Sequence, residues 1–247
     1  FDQFDTHLSE HQEAPKWAAR INHAIDNDEF ELFYQPIVSL NKEQNECEHF
    51  EILLRLKDGK QLLSPGVFLP AVERFRLSAK VDEWVVTNTF KWIEQRPELW
   101  QCIKVAINLS ADSLTDEQLI NKILEIKQSS QFPSTCICFE VTESAAVANL
   151  SVANLMIGQL RRVGFEIALD DFGKGFSTYS YMKNLSADYI KIDGSFVRGI
   201  AQDKRDLAIV SSIHQVSSSM GMKTIAEFVE DSVSYRLLEE LGVDFVQ

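Results

Sequence analysis

The stretch that decides the fold is Leu155–Val163 (LMIGQLRRV), followed by Gly164 and then by Phe165–Asp171 (FEIALDD). The first part has the spacing of an amphipathic helix, and the glycine supplies the left-handed residue that ends one. The apolar run before the two aspartates is typical of a buried strand. The same order returns in Ile209–Met220, Gly221 and Thr224–Glu227, and in Leu237–Leu241, Gly242 and Val243–Gln247. Such repetition predicts parallel strands joined by helices.

Eight strand candidates occur along the chain, and this number favours a TIM-like (β/α)8 barrel, an α/β fold. They are Phe30–Leu40, Phe50–Leu54, Ile103–Asn108, Ile137–Val141, Phe165–Leu169, Tyr189–Ile192, Thr224–Ala226 and Val243–Gln247. The first two lie too close together for a crossover helix, so we predict that this strand pair is antiparallel. Helices are also expected at Trp17–Ile25 and Asp116–Ile126.

Residues 1–15 are polar and lack apolar periodicity, so we expect a linker or the tail of a missing upstream domain there. Residues 16–247 are expected to form one domain that lacks its extreme C-terminus. The net charge of −13 argues against duplex nucleic acid and anionic membrane as partners. The four cysteines have no C-x-x-C spacing and no apolar run could cross a bilayer, so we expect a reduced, cytoplasmic domain, although its parent protein could be membrane-anchored.

Polar residues recur at the ends of the predicted strands, where barrel enzymes place their active sites. They are Asn108, Glu140, Asp170, Asp171, Lys191 and Glu227. Strand alternation places most of these side chains on the face shared with small residues such as Ala106 and Ala168. Carboxylates that converge in one cavity repel one another unless cations lie between them, and oxygen ligands favour Mg²⁺ or Mn²⁺. The histidines are scattered and do not form a zinc motif.

Each of these residues also has a purely structural interpretation. Glu143 fits the N-terminus of a helix, Asp171–Gly175 fits a turn, and Lys191 could pair with Asp193 in the core. The recurrence of acids at equivalent places on successive strands favours a site over these separate explanations.

The chain resembles the EAL family of cyclic di-GMP phosphodiesterases from about residue 18 onward. The family's Glu-Ala-Leu signature appears here as Glu51-Ile52-Leu53, followed by Leu54 and Arg55. The other family motifs also occur in the family's order. Tyr34–Val38 precedes the signature. The motifs after it are Ile107–Ser110, Glu140–Glu143, Asp170–Gly173, Lys191–Asp193, Ala226–Glu230 and Gln247.

The resemblance implies two-metal hydrolysis of cyclic di-GMP to linear pGpG, with Mg²⁺ or Mn²⁺ as cofactor and Ca²⁺ as inhibitor. The residues that it implies for the metals are Glu51, Asn108, Glu140, Asp170 and Asp171, with Asp170 shared between the two ions. The catalytic residues that it implies are Glu51, Lys191 and Glu227. Gln35, Leu54, Arg55 and Gln247 would position the substrate, and Glu143 would anchor the loop after Asp171. The resemblance also implies a homodimer and an upstream sensory or GGDEF domain.

Three residues depart from the family pattern. Ile52 replaces alanine but should face outward beside an inward Glu51, so activity should survive. Lys174 stands where threonine is usual and Phe228 where glycine is common, and both could alter loop motion or substrate entry. Two alternatives stay open: a silent domain that signals by binding cyclic di-GMP, and a metal-dependent barrel that cleaves another phosphodiester.

Overall fold

The computed structural model describes residues 16–41, 47–174 and 181–247. The expected linker at residues 1–15 lies outside the described residues. Within the described ranges, every helix is too short or too polar to cross a bilayer.

The described residues contain nine strands in one sheet that closes into a barrel. They are β1 (Phe30–Ser39), β2 (Glu48–Asp58), β3 (Gln61–Leu63), β4 (Ile103–Leu109), β5 (Ile137–Thr142), β6 (Glu166–Phe172), β7 (Tyr189–Ile192), β8 (Lys223–Ala226) and β9 (Phe245–Val246). Strands β2 and β4 to β9 run parallel as successive neighbours. Strand β1 is antiparallel to both β2 and β9 and joins the two ends of this parallel series. The predicted TIM-like barrel with an antiparallel first strand pair is confirmed.

Helices surround the barrel. They are α1 (residues 16–26), α2 (Pro65–Arg74), α3 (Ser78–Glu94), α4 (Ala111–Leu114), α5 (Glu117–Ser129), α6 (Glu143–Ala148), α7 (Leu150–Arg162), α8 (Gly194–Val197), α9 (Lys204–Ser219) and α10 (Ser232–Leu241). The glycines of the repeated unit have positive φ angles, with Gly164 at 96°, Gly221 at 79° and Gly242 at 85°. Only glycine adopts this conformation without strain, so these residues turn the chain from each helix towards the next strand.

Strand alternation divides the apolar residues into two cores. The larger core lies between the outer face of the barrel and the helices, and includes Val105, Ile107, Phe139 and Phe165. The smaller core fills the barrel interior and contains Ile37, Ala106, Cys138, Ala168, Tyr189, Ile225 and Phe245. These interior residues lie on the strand faces that the sequence pattern predicted, and they fill the barrel below the carboxyl ends of the strands.

Most strand bounds differ from the prediction by a few residues, and two differences are larger in effect. The short hairpin strand β3 follows the turn at Gly59, whose φ is 60°, and the sequence reading had no strand there. The last strand covers Phe245–Val246 rather than the predicted Val243–Gln247. The strand begins after Val243 because the backbone N–H of Val243 still donates to the carbonyl of Leu238 in helix α10.

Candidate active site

The predicted site residues meet at the carboxyl ends of the parallel strands. Glu51 lies on β2, Asn108 on β4, Glu140 on β5 and Asp170 on β6, while Lys191 lies on β7. Asn108 pairs in register with Glu140, and Glu51 pairs with Ala106 two residues below Asn108. Parallel register therefore holds these side chains at similar depths on the inner face of the barrel.

Lys191 is the centre of the cluster. Its Nζ lies 2.8 Å from Oε2 of Glu140, 3.1 Å from Oε1 of Glu227, 3.2 Å from Oε2 of Glu51 and 3.3 Å from Oδ1 of Asp170. Only 1% of the lysine side chain is exposed. The interpretation of Lys191 as a core lysine paired with Asp193 is therefore wrong, because four other carboxylates surround its ammonium group.

Hydrogen bonds hold one of these carboxylates from both sides. Nδ2 of Asn108 donates to Oε1 of Glu51 at 2.6 Å, and Nε2 of Gln247 donates to Oε2 of Glu51 at 2.6 Å. Burial favours the protonated form of Glu51, but Lys191 and these two donors outweigh burial and lower the pKa. Glu51 therefore stays ionised within the cluster.

The other acids respond differently to the same lysine. Burial raises the pKa of Glu140 far above its ordinary range and also raises the pKa of Asp170, although Lys191 opposes both shifts. Burial raises the pKa of Glu227 to about 7, again against the effect of Lys191. Burial opposes the charge on Lys191 too, yet Glu140 and Asp170 with their neighbours raise its pKa. Burial and mutual repulsion therefore favour the protonated forms of these three acids, and Lys191 opposes them.

A second group of acids adjoins the first. Carboxylate oxygens of Asp171, Asp193 and Glu227 lie within 4.8 Å of one another. Nζ of Lys174 lies 2.7 Å from Oδ1 of Asp171 and 2.7 Å from Oδ2 of Asp193. Glu227 also contacts Lys191, so it belongs to both groups.

Glu143 secures the start of the loop that follows β6. The backbone N–H of Gly173 donates to Oε2 of Glu143 at 2.9 Å, and the hydroxyl of Tyr181 donates to Oε1. Gly173 has a φ of 103°, and a Cβ atom there would press on the Phe196 ring at 2.8 Å. The carboxylate thus fixes two points of the chain, one on each side of residues 175–180, which lie outside the described residues.

The predicted substrate-positioning residues occupy different places. Gln35 lies opposite Glu51 in the β1–β2 register and is exposed above the cluster, and Gln247 contacts Glu51 directly. Arg55 lies further along the same face, with its guanidinium 5.4 Å from the centre of the Phe33 ring. Leu54 is not brought to the cluster, because it lies on the opposite face of β2 and packs against the outer core.

A match to the EAL domain family covers residues 18–247. The chain belongs to the EAL-domain family. Its curated relatives include the cyclic di-GMP phosphodiesterase PdeB of Shewanella oneidensis, with 41% identity over 248 aligned positions that cover 100% of this chain and 29% of PdeB. MucR of Pseudomonas aeruginosa, a bifunctional diguanylate cyclase/cyclic di-GMP phosphodiesterase, is 30% identical over 232 residues, 92% of this chain and 33% of MucR. This EAL domain therefore spans about a third of the length of these relatives or less.

Solved structures agree with this assignment. The PaMucR phosphodiesterase in complex with c-di-GMP superposes with a TM-score of 0.82 at 30% identity, covering 94% of each chain. The FimX EAL domain of Xanthomonas citri in complex with c-di-GMP has a TM-score of 0.89 at 24% identity, and covers 97% of this chain and 93% of its own. The FimX comparison shows a shared fold, and the family predicted from the motifs is confirmed.

The donor set of this EAL domain suits divalent cations. Oε1 of Glu140 and Oδ1 of Asp170 are buried and have no hydrogen-bond partner among the described residues, although Lys191 lies 3.3 Å from the latter. Buried carboxylate oxygens of this kind are costly unless a cation meets them. The donors are oxygens from carboxylates and one amide, which is the chemistry that Mg²⁺ and Mn²⁺ prefer.

The positions of Lys174 and Phe228 in the EAL domain site were not predicted from the sequence, where the two residues stood out only as departures from the family pattern. The contact between Lys174 and Asp193 was not predicted either. The Phe228 ring is half-exposed at the site, with the guanidinium of Arg198 4.0 Å from its centre. Phe228 has a φ of 56°, and its ring fits because the neighbouring residue is Gly194, where a Cβ atom would collide with it. Asp193 could have been predicted as a site residue, because it is an acidic residue directly after strand β7.

Proposed function

We propose that this EAL domain hydrolyses cyclic di-GMP to linear pGpG with two divalent cations, Mg²⁺ or Mn²⁺. The observation that carries the proposal is the convergence of Glu51, Glu140, Asp170 and Glu227 on Lys191 at the strand ends. The relatives PdeB and MucR, which are named cyclic di-GMP phosphodiesterases, support the choice of substrate.

In this proposal Glu51, Asn108, Glu140 and Asp170 hold the first cation, and Asp170 and Asp171 hold the second. When bound, the two cations would acidify a water molecule and offset the charge of the phosphoryl oxygens. The two buried oxygens without hydrogen-bond partners, on Glu140 and Asp170, support this assignment.

The chain's own residues direct the water and its proton. Lys191 is held by four carboxylates, so its ammonium group has a fixed position from which it can orient the attacking water. Glu227 is suited to accept the proton from that water, because its pKa of about 7 lies near neutral pH. Attack of water on one phosphorus breaks the bond to the 3′ oxygen, which takes up a proton and leaves a 5′-phosphate.

Substrate positioning falls to residues above the cluster. Arg55 offers a guanidinium that can donate two hydrogen bonds to a phosphate, although it now donates to the backbone carbonyl of Leu54 at 2.8 Å. Gln35 lies opposite Glu51 on β1 and Gln247 donates to Glu51, so both amides can reach the substrate from the β1 side of Glu51. For Leu54 we propose only a supporting role, because its side chain packs on the outer face.

The setting of the domain is a further part of the proposal. Since PdeB and MucR are much longer than this chain, we propose that the domain works in the cytoplasm beside an upstream sensory or GGDEF domain. On the basis of the family resemblance, we also propose that it acts as a homodimer.

A second function, binding of cyclic di-GMP without hydrolysis, is favoured by one observation. The ammonium group of Lys174 lies between Asp171 and Asp193, so it contacts one of the two acids proposed for the second cation. A domain that holds only one divalent ion would bind the substrate phosphates but activate water poorly.

The deciding experiment is incubation of the purified domain with cyclic di-GMP and Mg²⁺ or Mn²⁺, followed by chromatographic separation of the nucleotides. An EDTA control and a Glu51→Ala control accompany it, with a linear dinucleotide and a nitrophenyl phosphodiester as competing substrates. Formation of pGpG that both controls abolish supports the enzyme. Tight binding without product would indicate the receptor, and faster cleavage of the other phosphodiesters would change the assigned substrate.

A further inference from the structure

Lys174 places a positive charge inside the second group of acids. Its Nζ lies 2.7 Å from Oδ1 of Asp171 and 2.7 Å from Oδ2 of Asp193. Glu227 completes the group, since all three acids bring an oxygen within 4.8 Å of the others. Asp193 is only 3% exposed, so its charge cannot be satisfied by water alone.

An ammonium group and a divalent ion compete for the same oxygens. Both are attracted by the same carboxylates, and at contact distance they repel each other strongly. Asp171 is the acid proposed above as a ligand of the second cation. We propose that Lys174 is a tethered cation that occupies the second cation position, so that a divalent ion enters only when Lys174 leaves.

The two lysines of the site differ in their freedom to move. Lys191 is 1% exposed and is surrounded by four carboxylates, so it is a fixed part of the cluster. The Lys174 side chain is 54% exposed and reaches the acids from the rim. Its long flexible stem lets the ammonium swing into solvent, where it is strongly hydrated.

The backbone delivers Lys174 to this position. Gly173, the preceding residue, adopts a φ of 103° and is held by its hydrogen bond to Glu143. The backbone N–H of Lys174 donates to the carbonyl of Asp171 at 3.4 Å, which closes a tight turn. The ammonium group is therefore presented to the acids by an anchored turn rather than by a free loop.

The consequence is a lower apparent affinity for the second ion. The apparent dissociation constant equals the intrinsic one divided by the fraction of molecules in which Lys174 has left the site. This inference rests on the proposed function for the location of the second ion, but it can be measured in the absence of nucleotide.

The test is titration of the metal-free domain with Mn²⁺. Calorimetry measures the heat of binding, and electron paramagnetic resonance measures the free Mn²⁺. Lys174→Met keeps the length of the side chain and removes its charge, while Lys174→Arg keeps the charge. The matched control is Lys183→Met, because Lys183 is an exposed lysine on the same β6–β7 connection. Lys174→Thr is a second uncharged variant in case methionine disturbs the turn, and circular dichroism verifies folding of each protein.

We expect two Mn²⁺ sites in the wild type, with the second much weaker than the first. Lys174→Met and Lys174→Thr should tighten the second site by about tenfold or more and leave the first nearly unchanged. Lys174→Arg and Lys183→Met should resemble the wild type. Unchanged second-site affinity in both uncharged variants, or an equal gain in Lys183→Met, would overturn the inference.

The outcomes for the two proposals are separable. If the wild type cleaves cyclic di-GMP while loss of the Lys174 charge does not alter Mn²⁺ binding, the competition fails and the proposed function stands. If the second site tightens in the uncharged variants but none of the proteins cleaves cyclic di-GMP, the competition stands and the proposed function fails.

Discussion

The ammonium group of Lys191 lies 2.8 Å from Oε2 of Glu140, with 1% of the lysine side chain and 0% of the glutamate side chain exposed. Lys191→Met should therefore leave buried carboxylates without a counter-charge and destabilise the metal-free domain by about 3–5 kcal/mol. Protonation of Glu140 would reduce this cost, because burial already raises its pKa. Urea denaturation in EDTA measures the loss, and added Mg²⁺ should reduce it. Equal stability of variant and wild type in EDTA would contradict the role of Lys191 as counter-charge.

Glu51→Ala should reduce kcat/KM for cyclic di-GMP by about 1,000-fold or more, since it removes a carboxylate that meets Asn108, Gln247 and Lys191. Asp170→Ala should have a similar effect. Neither substitution should unfold the protein, because each removes a negative charge from a crowded acidic site. The matched control is Glu48→Ala, because Glu48 is an exposed glutamate on the same strand whose side chain points to the opposite face of the sheet. Unchanged turnover in Glu51→Ala or Asp170→Ala would refute the site assignment.

Replacing Mg²⁺ with Ca²⁺ should preserve binding of cyclic di-GMP but suppress its cleavage. Ca²⁺ is larger, tolerates irregular coordination and acidifies water less effectively than Mg²⁺. Calorimetry reports the binding and chromatography reports the product. Comparable rates of pGpG formation with Ca²⁺ alone and with Mg²⁺ alone would show that this expectation is wrong.

Glu143→Ala should weaken activity by releasing the turn that carries Gly173, while the barrel stays folded. The variant loses hydrogen bonds from both the Gly173 N–H and the Tyr181 hydroxyl, each worth about 0.5–3 kcal/mol. Tyr181→Phe removes only the second of these bonds and should have a smaller effect in the same direction. Second-site Mn²⁺ affinity, kcat and thermal unfolding separate the local effect from a global one. A larger defect in Tyr181→Phe than in Glu143→Ala would contradict the anchoring role.

His49 lies on β2, two residues before Glu51, and makes stability depend on pH. Its ring packs against Tyr189 and Phe245, and burial, followed by Lys104 and other lysines, lowers its pKa from 6.5 to about 3. Between these values the unfolded chain binds a proton that the folded chain does not, so stability falls as the pH falls below 6.5. The loss from this group at pH 5 is about 2 kcal/mol.

His49→Phe preserves the aromatic packing and removes this titration. Urea denaturation of both proteins at pH 7 and pH 5 should show a smaller loss of stability in the variant. Parallel losses in the two proteins would mean that His49 does not carry the effect.

Prediction from the sequence worked best for strands that their own residues identify. Strand β7 was predicted at Tyr189–Ile192, as the structure has it, because an apolar run with one inward lysine has few alternatives. Strand β3 was missed because it is only three residues long and depends on pairing with β2 after Gly59. The inward direction of Glu140 follows from alternation, but the distance between its carboxylate and the Lys191 ammonium depends on the closure of the whole barrel. The contact of Lys174 with Asp193 likewise joins residues from two different strand ends, which no local pattern reports.

Strand β1 pairs with β2 from Phe30–Leu56 to Ile37–His49. Within the described residues it meets β9 through Val38–Val246 and Ser39–Phe245, and the Leu40 N–H next to them donates to the carbonyl of Asp244. The ring of strands is therefore closed by a short seam at β9, which shares two register pairs with β1 and two with β8, against eight between β1 and β2. Amide hydrogen exchange should be fastest at this seam and slowest in β4 and β5, since local opening begins where the fewest bonds must break. Parting of β9 from β1 would free one edge of β1, which carries Gln35, whereas Glu51 stays paired with Ala106 of β4. The short strand that completes the barrel is thus also the place where we expect the barrel to open first.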